Sequence, residues 1–171
     1  YWDSDVGEFA NDLKKWPQSG DHAFLKKLFS EIWKSSTGDS IFGPGLDPEN
    51  VHVLGFSSGA FMASRVAFSP VVLEAVGELR PRSLVICSGG AALGVNSDWE
   101  QLRPCLDGHP PTLFLHGGDD HLVPARLSLA YHKELESHGV RSRYVLRASA
   151  KHEWLDCSAK EILAWIHKYR T

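Results

Sequence analysis

Cysteine is scarce in this sequence. Three residues, Cys87, Cys105 and Cys157, make an odd count that is too thin for a disulfide-built scaffold and is not spaced as a zinc site. No run approaches the roughly 18 apolar residues that a membrane-spanning helix requires. Neither sign of charge dominates: 18 basic and 21 acidic residues leave a formal net charge of −3 without a long block of either sign, so nothing points to nucleic acid or to an acidic membrane surface. No internal repeat is visible, which removes solenoids and propellers. Nine histidines are present, but no two-ligand spacing combines with a third ligand at a strand end, so no metal is expected. No signal-like stretch opens the chain at Tyr1, and the compartment stays open. Cys87 lies in an apolar run and is expected to be a buried thiol, whereas Cys105 and Cys157 could pair in an oxidising compartment.

What is there is an alternation. A chain of 171 residues suits one domain around one core. Residues 1–20, with Trp2, Phe9, Trp16 and Pro17, are aromatic but aperiodic and read as an irregular lead-in. Asp21 is placed to cap a helix in which Phe24, Leu25, Leu28, Phe29, Ile32 and Trp33 recur at three- and four-residue spacing, with Lys26, Lys27, Glu31 and Lys34 opposite. Residues 35–50 are rich in Ser, Gly, Asp and Pro and read as a flexible loop. From Val51 onward, short apolar runs alternate with helical stretches, the pattern of β-α units around a parallel sheet. The expected strands are Val51–Leu54, Ser83–Cys87, Thr112–Leu115 and Arg143–Leu146. Helices are expected over Ser58–Phe68, over Ala125–Ser137, and from about Cys157 to Tyr169 with Ile162, Leu163 and Ile166 facing inward. Between the exit Ser88-Gly89-Gly90-Ala91-Ala92 and Pro111, loop or short helical pieces are expected.

The strongest local signal is Gly55-Phe56-Ser57-Ser58-Gly59, a Gly-x-Ser-x-Gly turn between an apolar strand and a helix. A nucleophilic serine lifted above the edge of a sheet needs such a tight turn, and small neighbours avoid a clash there. The glycine spacing selects Ser57 over Ser58. The backbone N–H of Ser58 would then face the oxygen that becomes negative as Ser57 attacks. An acid is expected on the loop after the third strand, in His116-Gly117-Gly118-Asp119-Asp120-His121. Asp120 and Asp119 compete for that place. A base is expected after the fourth strand, where His152 follows Ser149-Ala150-Lys151. Of the histidines, His116, His121 and His152 flank strand ends, and only His152 comes after the acid on a later strand.

In these motifs the sequence resembles the α/β-hydrolases, and within them the esterase branch of polyhydroxybutyrate depolymerases and feruloyl or acetyl-xylan esterases. The likeness covers most of residues 21–171. Asp21-His22-Ala23-Phe24-Leu25 resembles the opening of the branch's aspartate-led helix, and the elbow with Ala60 and Met62 matches closely. His116-Gly117, Asp120 and Val123-Pro124 resemble its acid loop, which favours Asp120 over Asp119. The branch usually has glycine before the histidine and tryptophan two residues after it. His152 and Trp154 fit, with Lys151 in the glycine's place.

The resemblance implies a serine esterase that acts through an acyl-enzyme on Ser57, needs no cofactor, and works outside the cell. Phe56, Trp99 and Trp154 are candidates for an aromatic wall around the substrate, or for packing at the sheet edge. A second oxyanion donor is not found in the sequence. That gap keeps a catalytically silent scaffold or binding subunit in view; an acyltransferase that uses the same triad, with an alcohol in place of water, is a further alternative. The resemblance also implies strands before Val51, where residues 1–50 offer one helix and none. The expectation is therefore an incomplete α/β-hydrolase domain associated with a missing N-terminal fragment or second chain, a compact small hydrolase being the alternative.

Overall fold

Each short apolar run takes up strand geometry: β1 His52–Phe56, β2 Ser83–Cys87, β3 Thr112–Gly117 and β4 Ser142–Arg147. The computed structural model describes residues 12–68, 80–92, 98–154 and 158–171. Trp2, Phe9 and Cys157 lie outside them, and Cys105 is a free thiol. All neighbouring strands pair in parallel, in the order β1-β2-β3-β4. A parallel neighbour can be reached only by a crossover. The helices that flank the sheet are α1 Gly20–Lys34, α2 Ser58–Phe68, α3 Trp99–Leu102, α4 Arg126–Ser137 and α5 Ser158–Tyr169.

The central strands are buried throughout because both faces of the sheet are covered. Alternation along β2 and β3 splits their side chains between two cores. Leu84, Ile86 and Phe114 pack with Ala60, Ala63 and Phe68 of α2 and with Tyr131 and Leu135 of α4. Val85, Cys87, Leu113 and Leu115 pack on the other face with Ile162 and Trp165 of α5. Burial pushes the Cys87 thiol up to about 12, which suits an inert core residue. A third cluster, made of Trp16, Leu25, Phe29, Met62 and Val66, fastens α1 to α2.

Three details of the helices differ from expectation. Helix α1 is capped by Ser19, whose Oγ accepts the His22 N–H at 3.2 Å, so Asp21 lies in the first turn rather than at the cap. Its buried stripe centres on Leu25 and Phe29 with Leu28 and Ile32 beside them, whereas Phe24 and Trp33 fall at the two flanks and are exposed. In α5, Leu163 also points outward. Ile162, Trp165 and Ile166 share one face at helical spacing, and Leu163 is about 100° away from Ile162.

Trp99 is a further correction, because it does not stand beside the nucleophile. Its ring lies 6.4 Å from Phe68 and 5.8 Å from Tyr131, both of which also meet buried His109. Phe68 ends α2, roughly 15 Å along the helix from Ser57 at 1.5 Å per residue. His109 completes this cluster: its Nδ1–H donates to the Pro110 carbonyl (2.9 Å) and its Nε2 accepts the Tyr131 O–H (2.6 Å).

The turn from β1 into α2 is the tightest part of the fold. Ser57 adopts a left-handed φ of 55°, a conformation that costs a non-glycine residue about 1–3 kcal/mol and persists only where its surroundings hold it. They do: its N–H donates to Cys87 O at 3.0 Å, and its carbonyl accepts from Ala60 N–H at 2.9 Å and Phe61 N–H at 3.3 Å. The two glycines of the motif are not equivalent. A Cβ on Gly55 would overlap the Gly59 carbonyl and the Ala60 Cα, whereas one on Gly59 would meet nothing within 4 Å. We therefore predict that Gly55→Ala lowers the unfolding free energy by about 3 kcal/mol, while Gly59→Ala leaves it unchanged or raises it by up to about 1 kcal/mol. Urea unfolding of the two variants measures this, and equal losses would contradict it.

Candidate active site

Parallel strands bring all their C-terminal ends to one edge, where loops from different strands can meet. Ser57 leaves β1, Asp120 lies three residues beyond β3, and His152 lies five residues beyond β4. The His152 Nε2 lies 2.9 Å from the Ser57 Oγ, and its Nδ1 lies 2.7 Å from the Asp120 Oδ2. A carboxylate only accepts, so Nδ1 carries the proton and Nε2 is left to accept the serine O–H. The structure thus brings together Ser57, Asp120 and His152, from positions up to 95 residues apart. Asp119 turns away: its carboxylate is exposed and lies 3.6 Å from exposed His121.

Glycines of the acid loop make this meeting possible. A Cβ on Gly117 would overlap the carbonyl oxygens of Ala150 and Lys151, and one on Gly118 would overlap Ala148. With hydrogen there instead, the loop after β4 lies directly on the loop after β3, tied by Gly118 N–H to Arg147 O (2.8 Å) and Asp119 N–H to Ala150 O (2.9 Å). In the sequence, Gly117-Gly118 stands out only as part of a motif, and nothing nearby signals the loop that it must accommodate. Lys151, which stands where the family resemblance leads one to expect glycine, has no left-handed φ, so the loop does not need glycine there.

Around the triad, Phe56 tilts against the His152 ring at a centroid distance of 5.1 Å and meets the Trp154 ring edge-on at 6.0 Å. Trp154 is exposed. Ser58 is the first residue of α2, where backbone N–H groups have no acceptor within the helix and the dipole is positive. At the opposite edge of the sheet, a concavity of about 740 Å³ is lined by Arg82, Arg103, His138, Arg141 and Tyr169, away from this cluster.

Residues 45–153 match the family described as Serine hydrolase (FSH1), well over half of the chain. The chain belongs to that family. A poly(3-hydroxyoctanoate) depolymerase of Pseudomonas fluorescens is 31% identical to this serine hydrolase over 170 residues, 99% of this chain and 55% of the relative. The chain therefore spans little more than half the length of that protein. Among solved structures, the acetyl ester-xyloside bifunctional hydrolase of Caldicellulosiruptor lactoaceticus matches 86% of this chain and 65% of its own, with a TM-score of 0.64 at 23% identity. Esterase PE8 matches 86% of this chain and 60% of its own, with a TM-score of 0.63 at 21% identity. At these identities the likeness establishes the α/β-hydrolase fold.

The Asp120 carboxylate is held ionised by its loop. Burial works against the Asp120 carboxylate, but the Val123 N–H (2.8 Å), the His152 imidazole and the Leu122 N–H (3.0 Å) outweigh it and keep its pKa below the usual carboxylate range. A carboxyl whose pKa is lower folded than unfolded stabilises the fold fully above its unfolded pKa, about 3.9, and loses that contribution as pH falls through the folded value. We predict that the stability difference between the native protein and Asp120→Asn is constant near neutrality and shrinks on acidification below about pH 4. Urea unfolding across pH tests this, and a difference independent of pH would overturn it.

Proposed function

We propose that this serine hydrolase cleaves carboxylic esters through an acyl-enzyme on Ser57. The reading is supported above all by the unbroken hydrogen-bonded line from Ser57 Oγ through His152 to Asp120 at the sheet edge. His152 Nε2 accepts the serine proton as Oγ attacks the ester carbonyl carbon. Asp120 holds the ring in the tautomer this requires and stabilises the imidazolium that forms. The oxygen that becomes negative receives the Ser58 N–H. Collapse of the tetrahedral intermediate expels the alcohol, which takes the proton from His152. Water then enters with His152 as base and frees the acid.

Phe56, tilted against the imidazole, and Trp154, edge-on to Phe56, form the aromatic wall of the acyl or alcohol site. The resemblance to a poly(3-hydroxyoctanoate) depolymerase makes esters of 3-hydroxyalkanoic acids the first substrates to try.

A fluorophosphonate probe tests the central claim. It is expected to label Ser57 in the folded protein and to fail after denaturation or in Ser57→Ala. Ester turnover falls to background in Ser57→Ala and His152→Ala, and far less in Ser58→Ala, because that residue contributes a backbone group. Similar losses in Ser57→Ala and Ser58→Ala, or full activity in His152→Ala, would refute the assignment. A folded protein that resists the probe would instead favour the silent scaffold.

A further inference from the structure

His116 is fully buried beside the cluster, with 0% of its side chain exposed. It occupies the next-to-last position of β3, four residues before the acid. A buried imidazole must satisfy both ring nitrogens or leave a polar group stranded. Its Nε2 lies 2.8 Å from the Val123 carbonyl oxygen, which can only accept, so Nε2 carries a proton. Its Nδ1 lies 2.7 Å from Ser128 Oγ on α4, and in the neutral ring it accepts that hydroxyl. Tyr144 adds its hydroxyl to the same pocket, 3.4 Å from the Ala125 carbonyl that also lies 3.1 Å from Ser128 Oγ.

The acceptor His116 holds is not an arbitrary carbonyl. Val123 is the residue whose own N–H donates to Asp120 Oδ1, so a hydrogen bond to its carbonyl fixes the turn that carries the carboxylate. The same Nε2–H also faces Asp120 Oδ2 at 3.4 Å, the oxygen that receives His152 Nδ1–H. That distance is long for a hydrogen bond but short for a charge and a bond dipole. His116 thus acts on the acid twice, through its turn and at its reacting-side oxygen.

We propose that His116 is a positioning residue for this serine hydrolase, aiming Asp120 Oδ2 at His152 by donating Nε2–H into the Asp120–Val123 turn. The inference rests on the esterase reading above. Its charge state fits the role. Burial lowers the pKa of His116, against the opposing pull of the Val123 carbonyl and Asp120, and His152 acts in the same direction as burial. A neutral ring orients the carboxylate without cancelling the charge that His152 needs.

Three variants test this. His116→Leu keeps the pocket filled but removes both ring nitrogens. It is expected to lower kcat on the order of tenfold to a hundredfold with KM changed by less than about twofold, since only the geometry of the base is disturbed. His116→Gln places an amide N–H near the position of Nε2 and is expected to restore most of that loss. Ser128→Ala leaves His116 in place but frees Nδ1, and should lower kcat in the same direction by a smaller factor. In an Asp120→Asn background, both His116→Leu and Ser128→Ala should cost little further, because the group they position is already gone. Equal losses with and without Asp120, or a His116→Gln variant as impaired as His116→Leu, would overturn the proposal. If His116→Leu does not fold, the Ser128→Ala and His116→Gln comparisons decide the matter.

A second readout needs no turnover. In proton–nitrogen NMR of the imidazoles, the native protein should show a slowly exchanging His152 Nδ1–H that is lost or broadened in His116→Leu and kept in His116→Gln. Native protein with that signal but without probe labelling would fail the esterase reading while sustaining the role of His116. An unchanged signal in His116→Leu would refute the role whatever the activity.

Discussion

Everything at this site depends on how closely a helix can approach the end of a strand. The chain leaves β1 at Gly55 and Phe56 and enters α2 within two residues, so the Gly59 carbonyl and Ala60 lie where the Gly55 side chain would be. That approach leaves Ser57 little choice but a left-handed backbone, and three hydrogen bonds hold it there. Its hydroxyl is thereby lifted over the sheet edge to meet His152 Nε2. The approach is repeated at the exit of the neighbouring strand β2, where a Cβ on Gly89 would overlap that of Ala60. Glycine on the strand exits lets the helix settle onto the sheet, and the settled helix sets the serine.

A second constraint is electrostatic. A buried carboxylate is unfavourable unless donors surround it. Asp120 has them: two backbone N–H groups on one oxygen, and His152 on the other with His116 behind. The donors also fix direction, because each lone-pair site already taken restricts where the remaining one points. The Gly117-Gly118 pair, by letting the loop after β4 lie on the loop after β3, brings His152 to the one site left.

Much of this architecture is legible in the amino-acid sequence. Local period and turn chemistry depend on nearby residues, so the strand Ser83–Cys87 and the helix Ser58–Phe68 have the limits that their patterns predict, and the other elements agree to within a few residues. The order of nucleophile, acid and histidine, each just past a strand, is also a property of the linear chain. The face a side chain takes is harder to read. Phe24, Trp33 and Leu163 are apolar and fall at helical spacing, but whether the flank of a stripe is buried depends on what lies against it. Trp99 departs from expectation for the same reason: an aromatic residue in a polar segment carries no local sign of whether it lines a site or joins the Phe68–Tyr131 cluster.

The sequence by itself determined the alternation of strands and helices, the elbow at Ser57 and the three positions on which the proposed chemistry rests, because these follow from periodicity, glycine spacing and chain order. Only the tertiary structure decided that Asp119 faces water while Asp120 faces His152, that Gly55 rather than Gly59 is sterically required, and that His116 stands behind the acid. The first depends on a contact between segments distant in the chain, and the other two on how a strand packs against the turn or helix that follows it. Such contacts are set by the packing of whole elements, which no short stretch of residues encodes.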